Sequence, residues 1–443
     1  MFTTDTINTF NQLDTPFYYY DMGVLRQTLD ACRDASVKHG FHVHYAMKAN
    51  FNPKVLDMVQ TYGFGADCVS GNEVKAAIEH GFDKGKVVFA GVGKSDREIN
   101  YALDADIFCF NVESVQELEI INELAAAKGK KANVAIRINP NVDAHTHHFI
   151  TTGLDENKFG INIWQLPDVA IALRKCVSLQ FLGIHFHIGS QITDLEVYKS
   201  LCTRINEMQD WFEDHGFPVK VLNTGGGLGV DYYSPDTNIA DFENYFQVFK
   251  NFLNVKPGQE VHFELGRALV AQSASLISRV LYVKNGKKKN FLVLDAGMTE
   301  LIRPMLYQAY HQIENISRQS QESRVKNQDS YTHHSASENQ ESRIKSQDEE
   351  KTSELTTHHS NENQESRIKN QDSDTHNSQL TTHNLKYDVV GPICESTDCF
   401  QKDVDLPESF RGDLIAVRTA GAYGEVMASG YNLRDRVVSI YSE

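Results

Sequence analysis

Short apolar runs rich in β-branched residues recur along the first 270 positions, starting near His42, Ala66, Val87, Ile107, Asn133, Phe181, Val219 and Val261. Between them the apolar positions return every three to four residues. That spacing predicts helices over Pro53–Tyr62, Glu73–His80, Asp96–Leu103, Val115–Lys128, Pro167–Cys176, Leu195–His215 and Asp241–Leu253, with another over Val24–His39 ahead of the first run. Glycines at 63, 81, 129 and 216 stand where helix ends need a residue free to turn left-handed. Eight strands alternating with helices predict an α/β fold, a (β/α)8 barrel of the TIM type over residues 24–270. A doubly wound open sheet is the alternative, and eight units disfavour it. After Arg267 the period shifts to two, over Leu276–Lys284, Phe291–Asp295, Tyr387–Ile393, Asp413–Thr419 and Val437–Tyr441. A second, mostly-β domain from residues 1–23 and 271–443 is expected, with the run Phe17-Tyr-Tyr-Tyr-Asp21 as a further strand of its sheet.

One stretch breaks the pattern. Ser317–Asn384 contains no Gly, Pro or Cys and only seven apolar residues, and it repeats a unit beginning Gln-Glu-Ser-Arg at 321, 340 and 364. So few apolar groups cannot offset the ordering entropy of the segment, so a solvated, disordered insert in a loop of the β domain is expected. Its paired histidines, 333–334 and 358–359, make metal capture the alternative.

Composition narrows the class. A formal net charge of −16 argues against nucleic-acid or acidic-membrane partners. No run approaches the roughly 20 apolar residues of a membrane span, and the first residues lack a secretory signal. Seven scattered cysteines without a Cys-x-x-Cys pair suggest reduced thiols. A soluble, cytoplasmic protein is the expectation.

Catalytic groups in such barrels project from the C-terminal ends of strands. Strand one ends in Tyr45-Ala-Met-Lys48-Ala-Asn50, and a Lys desolvated there is expected to have a lowered pKa and to act as an amine nucleophile. Strand six ends in His185-Phe-His187-Ile-Gly-Ser190. Both rings fall on one face, either as two metal ligands or with His187 packed on a planar cofactor and His185 in the core. His145, His147 and His148 would extend a metal cluster but lack strand spacing. Strand seven runs into Gly225-Gly226-Gly227, placed where this fold commonly binds phosphate. Strand eight ends in Glu264-Leu265-Gly266-Arg267. A lysine for an aldehyde, amides for a phosphate and a carboxylate for a pyridine nitrogen suit pyridoxal 5′-phosphate, with no metal.

With these motifs, and with Asp295-Ala-Gly-Met298, Arg303-Pro-Met-Leu-Tyr307, Gly391-Pro-Ile-Cys-Glu-Ser396 and Gly421-Ala-Tyr423-Gly-Glu, the chain resembles the alanine-racemase-fold decarboxylases that use pyridoxal phosphate. Among them it is most similar to the branch acting on meso-2,6-diaminopimelate. The resemblance implies that Lys48 binds the cofactor's aldehyde, His187 stacks on its ring and Glu264 pairs with its nitrogen. Gly227, the backbone of Glu264–Arg267 and Tyr423 would hold the phosphate, supported by Asp67, Arg137 and Ser190. Arg267, Arg303, Tyr307, Glu395 and Tyr423 would hold the amino-acid substrate, and an arginine fork suits its carboxylates. Cys394 would be the proton donor, delivered with Glu395 by the neighbouring subunit of a homodimer. Two departures stand out: Leu265, where proline is commoner, and the insert between Tyr307 and Cys394. The rival readings are a sister decarboxylase for ornithine, arginine or carboxynorspermidine, a metal-dependent barrel hydrolase, and a non-catalytic regulator on this fold.

Overall fold

A computed structural model describes residues 2–142, 158–318 and 383–443. The chain opens with α1 (Thr4–Phe10), β1 (Phe17–Tyr20) and α2 (Met22–His39). Eight strands follow: β2 (His42–Ala46), β3 (Gly65–Cys68), β4 (Val87–Phe89), β5 (Cys109–Val112), β6 (Ala132–Arg137), β7 (Leu179–His185), β8 (Val221–Asn223) and β9 (Glu260–Leu265). They pair in parallel in that order, and β9 returns to β2 to close a barrel. The helices between them are α3 (Pro53–Gln60), α4 (Gly71–Glu79), α5 (Asp96–Ala105), α6 (Val115–Ala127), α7 (Leu166–Lys175), α8 (Glu196–Asp214) and α9 (Phe242–Phe252). Their starts follow from local chemistry: Asp21, Ser70, Ser114 and Asp241 each accept a hydrogen bond from a first-turn amide. Gly40, with φ of 72°, ends α2.

Strand alternation sorts the barrel into an outer and an inner layer. On β9, Phe263 points outward and is fully buried among Phe41, Tyr245, Phe246 and Phe249, with ring centroids 4.8–5.6 Å away. Glu264, the next residue, points inward. A small apolar cluster of Val88, Cys109, Ala135, Leu182 and Val221 fills the middle of the barrel. Two residues further along β5, β6 and β8 the same face carries Asn111, Arg137 and Asn223. An apolar plug therefore sits directly beneath a polar mouth.

The rest of the chain adds α10 (Arg267–Val270), β10 (Ala274–Asn285), β11 (Asn290–Leu294), α11 (Arg303–Tyr307), β12 (Ile313–Asn315), β13 (Asn384–Val390), β14 (Cys399–Pro407), β15 (Leu414–Val417) and β16 (Val438–Tyr441). They form one eight-stranded sheet ordered β12-β15-β10-β11-β13-β14, with β1 paired to β10 and β16. The Phe17 strand joins this sheet, as its sequence suggests. Three elements carry little sequence signal: α1, β12 and β14, whose Gln-Lys-Asp-Val-Asp run is polar because it lies at the sheet edge. The sheet is tied to the barrel mouth where Tyr423 N donates to Ala49 O at 2.8 Å and Asn50 Nδ2 to Gly421 O at 2.7 Å.

The repeats of the polar segment and the histidines at 145, 147, 148, 333, 334, 358 and 359 lie outside the described residues. The expected limits of that segment, Ser317 and Asn384, need correcting. Ser317 accepts a hydrogen bond from Leu414 N, Arg318 grips Asp413 through two nitrogens at 2.9 and 3.0 Å, and Asn384 begins β13. Among the described residues no helix is long and apolar enough to cross a membrane.

Phe263→Ala should lower the unfolding free energy by about 3–5 kcal/mol, because the rigid aromatic surround cannot collapse into the gap. An earlier denaturant midpoint at unchanged slope is expected, whereas a loss under about 1 kcal/mol would show that this seam does not hold the helices to the barrel.

Candidate active site

Lys48 sits in a single helical turn, Met47–Ala49, at the mouth end of β2, with its two neighbours buried. Its Nζ lies 3.5 Å from Asp67 Oδ2. Asp67, at the end of β3, is almost wholly buried, and neither of its carboxylate oxygens has a hydrogen-bond partner. The sequence-based expectation of a lowered Lys48 pKa is wrong. Burial does push it down, but the charges of Asp67, Tyr423 and Glu264 outweigh burial and hold the amine above its ordinary value. Asp67 is pushed up, by burial first and then by Glu264.

Glu264 is the best-anchored group of the mouth. Its Oε1 accepts from Asn111 Nδ2 at 2.9 Å and Asn223 Nδ2 at 2.7 Å, and its Oε2 lies 2.9 Å from His185 Nε2. Burial would raise this carboxyl, yet His185, with help from Lys48 and His44, keeps it well below the usual carboxylate range. His185 therefore serves Glu264. His187, two residues on, lines the cavity, and burial together with Lys48 and Arg137 lowers its pKa and leaves it neutral. Its Nδ1 accepts from Gly226 N at 3.3 Å. Arg137 is held by Glu113 at 2.8 Å, and Glu113 also accepts from the amides of Gly91 and Gly160.

The glycine loop after β8 is a close-approach device. A Cβ on Gly225 would strike Phe186 O, one on Gly226 would strike Glu264 O, and one on Gly227 would come within 2.7 Å of Gly189 O. Gly225 and Gly227 also have φ of 70° and 105°. A small hollow beside the loop is lined by Gly227, Leu265, Gly266, Arg267, Ser190 and Tyr423.

Two buried guanidiniums complete the wall. Arg267 donates to Ser190 Oγ at 3.0 Å and to Tyr232 Oη at 2.6 Å. Burial would raise the Tyr232 phenol, but Arg267 and Arg303 outweigh it and lower its pKa. Arg303, on α11, donates to His311 Nε2 at 2.8 Å, and His311 Nδ1 donates to Arg418 O at 2.8 Å. The Arg303 Nε is buried and unpaired.

Lys48, Arg137, His187, Ser190, Glu264, Arg267, Arg303, Tyr307 and Tyr423 thus line one cavity of about 1230 Å³. Asp67, Gly225 and Gly226 stand behind this wall. Cys394 and Glu395 are not brought to it: they sit on an exposed loop, where Glu395 accepts from Tyr431 Oη at 2.7 Å. Asp398 shapes that loop through the amides of Ile393 and Met298, both at 2.7 Å. Asn111, Asn223, Tyr232, Glu113 and His311 escaped the sequence reading. Only the two Asn could have been found, by counting two residues on from the barrel-filling positions.

The residues present fit pyridoxal phosphate. Unpaired Asp67 oxygens face the lysine, a carboxyl held below the usual carboxylate range by His185 stands across the mouth, and a glycine cradle with no room for Cβ atoms lies between them. A closed barrel with this mouth, capped by an eight-stranded sheet, defines a pyridoxal-phosphate enzyme of barrel-and-sheet architecture. Residues 25–271 match the pyridoxal-binding domain of the pyridoxal-dependent decarboxylases, and residues 349–421 match their C-terminal sheet domain. The chain is 50% identical to the diaminopimelate decarboxylase of Bacteroides thetaiotaomicron over 97% of its length and 96% of the relative's. It is 34% identical to that of Aquifex aeolicus, over 97% of this chain and 87% of that one. The crystal structure of Helicobacter pylori diaminopimelate decarboxylase complexed with L-lysine superposes with a TM-score of 0.80 at 34% identity, covering 99% of this chain and 94% of the other. The chain belongs to the pyridoxal-dependent decarboxylase family. That membership overturns the metal-hydrolase reading of His185 and His187.

Burial first, and then Arg303, pushes His311 down to about 3. An unfolded histidine takes up its proton near pH 6.5, so between that pH and about 3 the unfolded state binds more protons than the folded one. Stability from this residue is complete above about 6.5 and should fall by up to about 1.4 kcal/mol per pH unit below it. His311→Gln should flatten the acid limb of a stability–pH curve. An equally steep limb in the variant would place the acid sensitivity elsewhere.

Proposed function

We propose that this chain removes one carboxylate of meso-2,6-diaminopimelate to give L-lysine and CO2, the last step of lysine biosynthesis, as a cytoplasmic homodimer dependent on pyridoxal 5′-phosphate. One observation carries the substrate assignment: two buried arginines, Arg267 and Arg303, share a single cavity with Lys48 and Glu264. That pairing suits an amino acid with a carboxylate at both ends, as the diaminopimelate in the names of its relatives is. On this reading residues 24–270 carry the cofactor, and residues 1–23 and 271–443 form the closing sheet domain.

When bound, the cofactor supplies an aldehyde that captures the amine and a conjugated ring that takes up the electron pair of the breaking C–C bond. Lys48 would hold the cofactor through its aldehyde, and Asp67, 3.5 Å away, would take a share of the proton that the amine must lose. Glu264, kept ionised by His185, Asn111 and Asn223, holds a proton on the ring nitrogen. His187, being neutral, packs against the ring without competing for that proton. Gly225, Gly226, Gly227, Leu265, Gly266, Ser190 and Tyr423 hold the phosphate, and Arg137 braces the mouth through Glu113. Arg267, Arg303 and Tyr307 orient the two carboxylates, and Glu395 receives the distal ammonium. Cys394 Sγ delivers a proton to the carbon that has lost CO2. Cys394 and Glu395 lie away from their own cavity, which favours their delivery by the partner subunit.

Purified enzyme should turn meso-diaminopimelate into lysine at a kcat/KM at least about 10⁴-fold above that for ornithine, which leaves Arg303 unpaired. Comparable rates for ornithine would move the chain to a sister decarboxylase. Sharing of sites has its own test: Lys48→Ala and Cys394→Ala should each be nearly inactive, and an equal mixture of the two should regain roughly a quarter of wild-type activity through hybrid dimers with one intact site. No regain on mixing, with subunit exchange verified, would place Cys394 in its own subunit's site or outside the reaction.

A further inference from the structure

The opposite end of the barrel holds a second constellation. β2 and β9 are the first and last strands of the barrel, and their pairing closes it, with His42 directly across from His262. Glu260 lies two residues before His262 on the same face. The ligand atoms of His42, Glu260 and His262 all lie within 4.8 Å of one another, with His42 and Glu260 exposed and His262 buried. Among the described residues this is the one such group of three, and it shares no residue with the cofactor cavity.

The hydrogen bonds behind it fix which nitrogen of His262 carries its proton. His44 Nδ1 lies 2.9 Å from Lys86 O, and a backbone carbonyl only accepts, so His44 carries its proton on Nδ1. A neutral His44 then offers a lone pair at Nε2, which lies 2.7 Å from His262 Nδ1, so His262 must donate there. The remaining nitrogen, His262 Nε2, is left with a lone pair pointing at Glu260 Oε2, 3.1 Å away. Two acceptors cannot bond each other, and a cation between them resolves the conflict. This is also how metal-bound histidines are usually held, with the far N–H donated to a second partner.

The surroundings are built for it. A Cβ on Gly65 would strike both the His44 ring and Lys86 O, so glycine there makes the relay possible. Phe108 stacks on His262 at 5.5 Å with 4° between planes and fixes the ring. The exposed His42 ring sits 4.8 Å from His262, centroid to centroid, with its ligand atom within 4.8 Å of the other two. Tetrahedral zinc with bonds of roughly 2.0–2.1 Å places its ligands about 3.3 Å apart, close to the existing separation of His262 from Glu260.

We propose that His42, Glu260 and His262 bind one divalent ion of the zinc class, completed by water, which clamps the closing seam of the barrel at the face opposite the cofactor. Two imidazoles and one carboxylate select zinc or cobalt over magnesium or calcium. The position implies a stabilising role, as the N-terminal face of such barrels serves stability.

The test uses the full-length, cofactor-loaded enzyme, stripped with a chelator and titrated with zinc chloride or cobalt chloride. The polar segment carries histidines of its own, so the ion is read by difference. His42→Ala and Glu260→Gln should each bind one equivalent fewer than wild type, or bind it at least tenfold more weakly. Both should also lose the visible cobalt band and the zinc-dependent rise in unfolding temperature. Replacing His333, His334, His358 and His359 together with alanine should leave that rise intact. Cofactor absorbance and turnover should be unchanged in every variant, which separates this test from that of the reaction. Equal stoichiometry and an equal zinc-dependent rise in wild type, His42→Ala and Glu260→Gln would overturn the proposal and leave a proton as the bridge between His262 and Glu260.

Discussion

A carboxylate buried at a barrel mouth must either lose its charge or be surrounded by donors, and Glu264 is surrounded. Asn111, Asn223 and His185 reach it from β5, β8 and β7, so three strands converge on one side chain. Each donor can do so because the layer below is apolar and tightly packed, which fixes the strand stagger that brings their ends level. The outward neighbour, Phe263, locks β9 against α9 and prevents it from slipping by the one residue that would turn Glu264 away. The charge of Glu264 then reaches its neighbours, helping to hold Lys48 protonated and Asp67 reluctant to ionise.

The Arg303 side of the cavity is organised by a different device. Arg418 on the sheet domain is anchored by Asp236 and Glu314, and its carbonyl accepts from His311, which in turn accepts from Arg303. The guanidinium that faces the cavity is therefore positioned by the sheet, whereas Lys48, His187 and Glu264 are positioned by the barrel. The site lies where the barrel meets the sheet, and hydrogen bonds from Asn50 and Tyr423 tie the two together there.

Much of this is legible in the chain because barrel function sits at strand ends. Once eight strands are placed, Lys48, His187, the glycine loop and Glu264 fall at the mouth by period alone. What escaped is of three kinds. Asn111, Asn223 and Glu113 are ordinary polar residues, and their importance lies in contacts across as many as 153 residues of sequence that no local pattern encodes. The Lys48 pKa was misjudged because burial is visible in a strand pattern, whereas the opposing charges of Asp67 and Glu264 arrive only with closure of the barrel. The edge strand β14 was missed because exposure had replaced its apolar alternation with charge.

The ionisation of Glu264 can be tested where it acts. Enzyme reconstituted with cofactor labelled with nitrogen-15 in the ring would report by NMR whether that nitrogen carries a proton. A protonated nitrogen across the neutral pH range, lost in Glu264→Gln, is the expected result. An unprotonated ring nitrogen in the wild-type enzyme would contradict the role of Glu264 and remove the electron sink on which the decarboxylation depends.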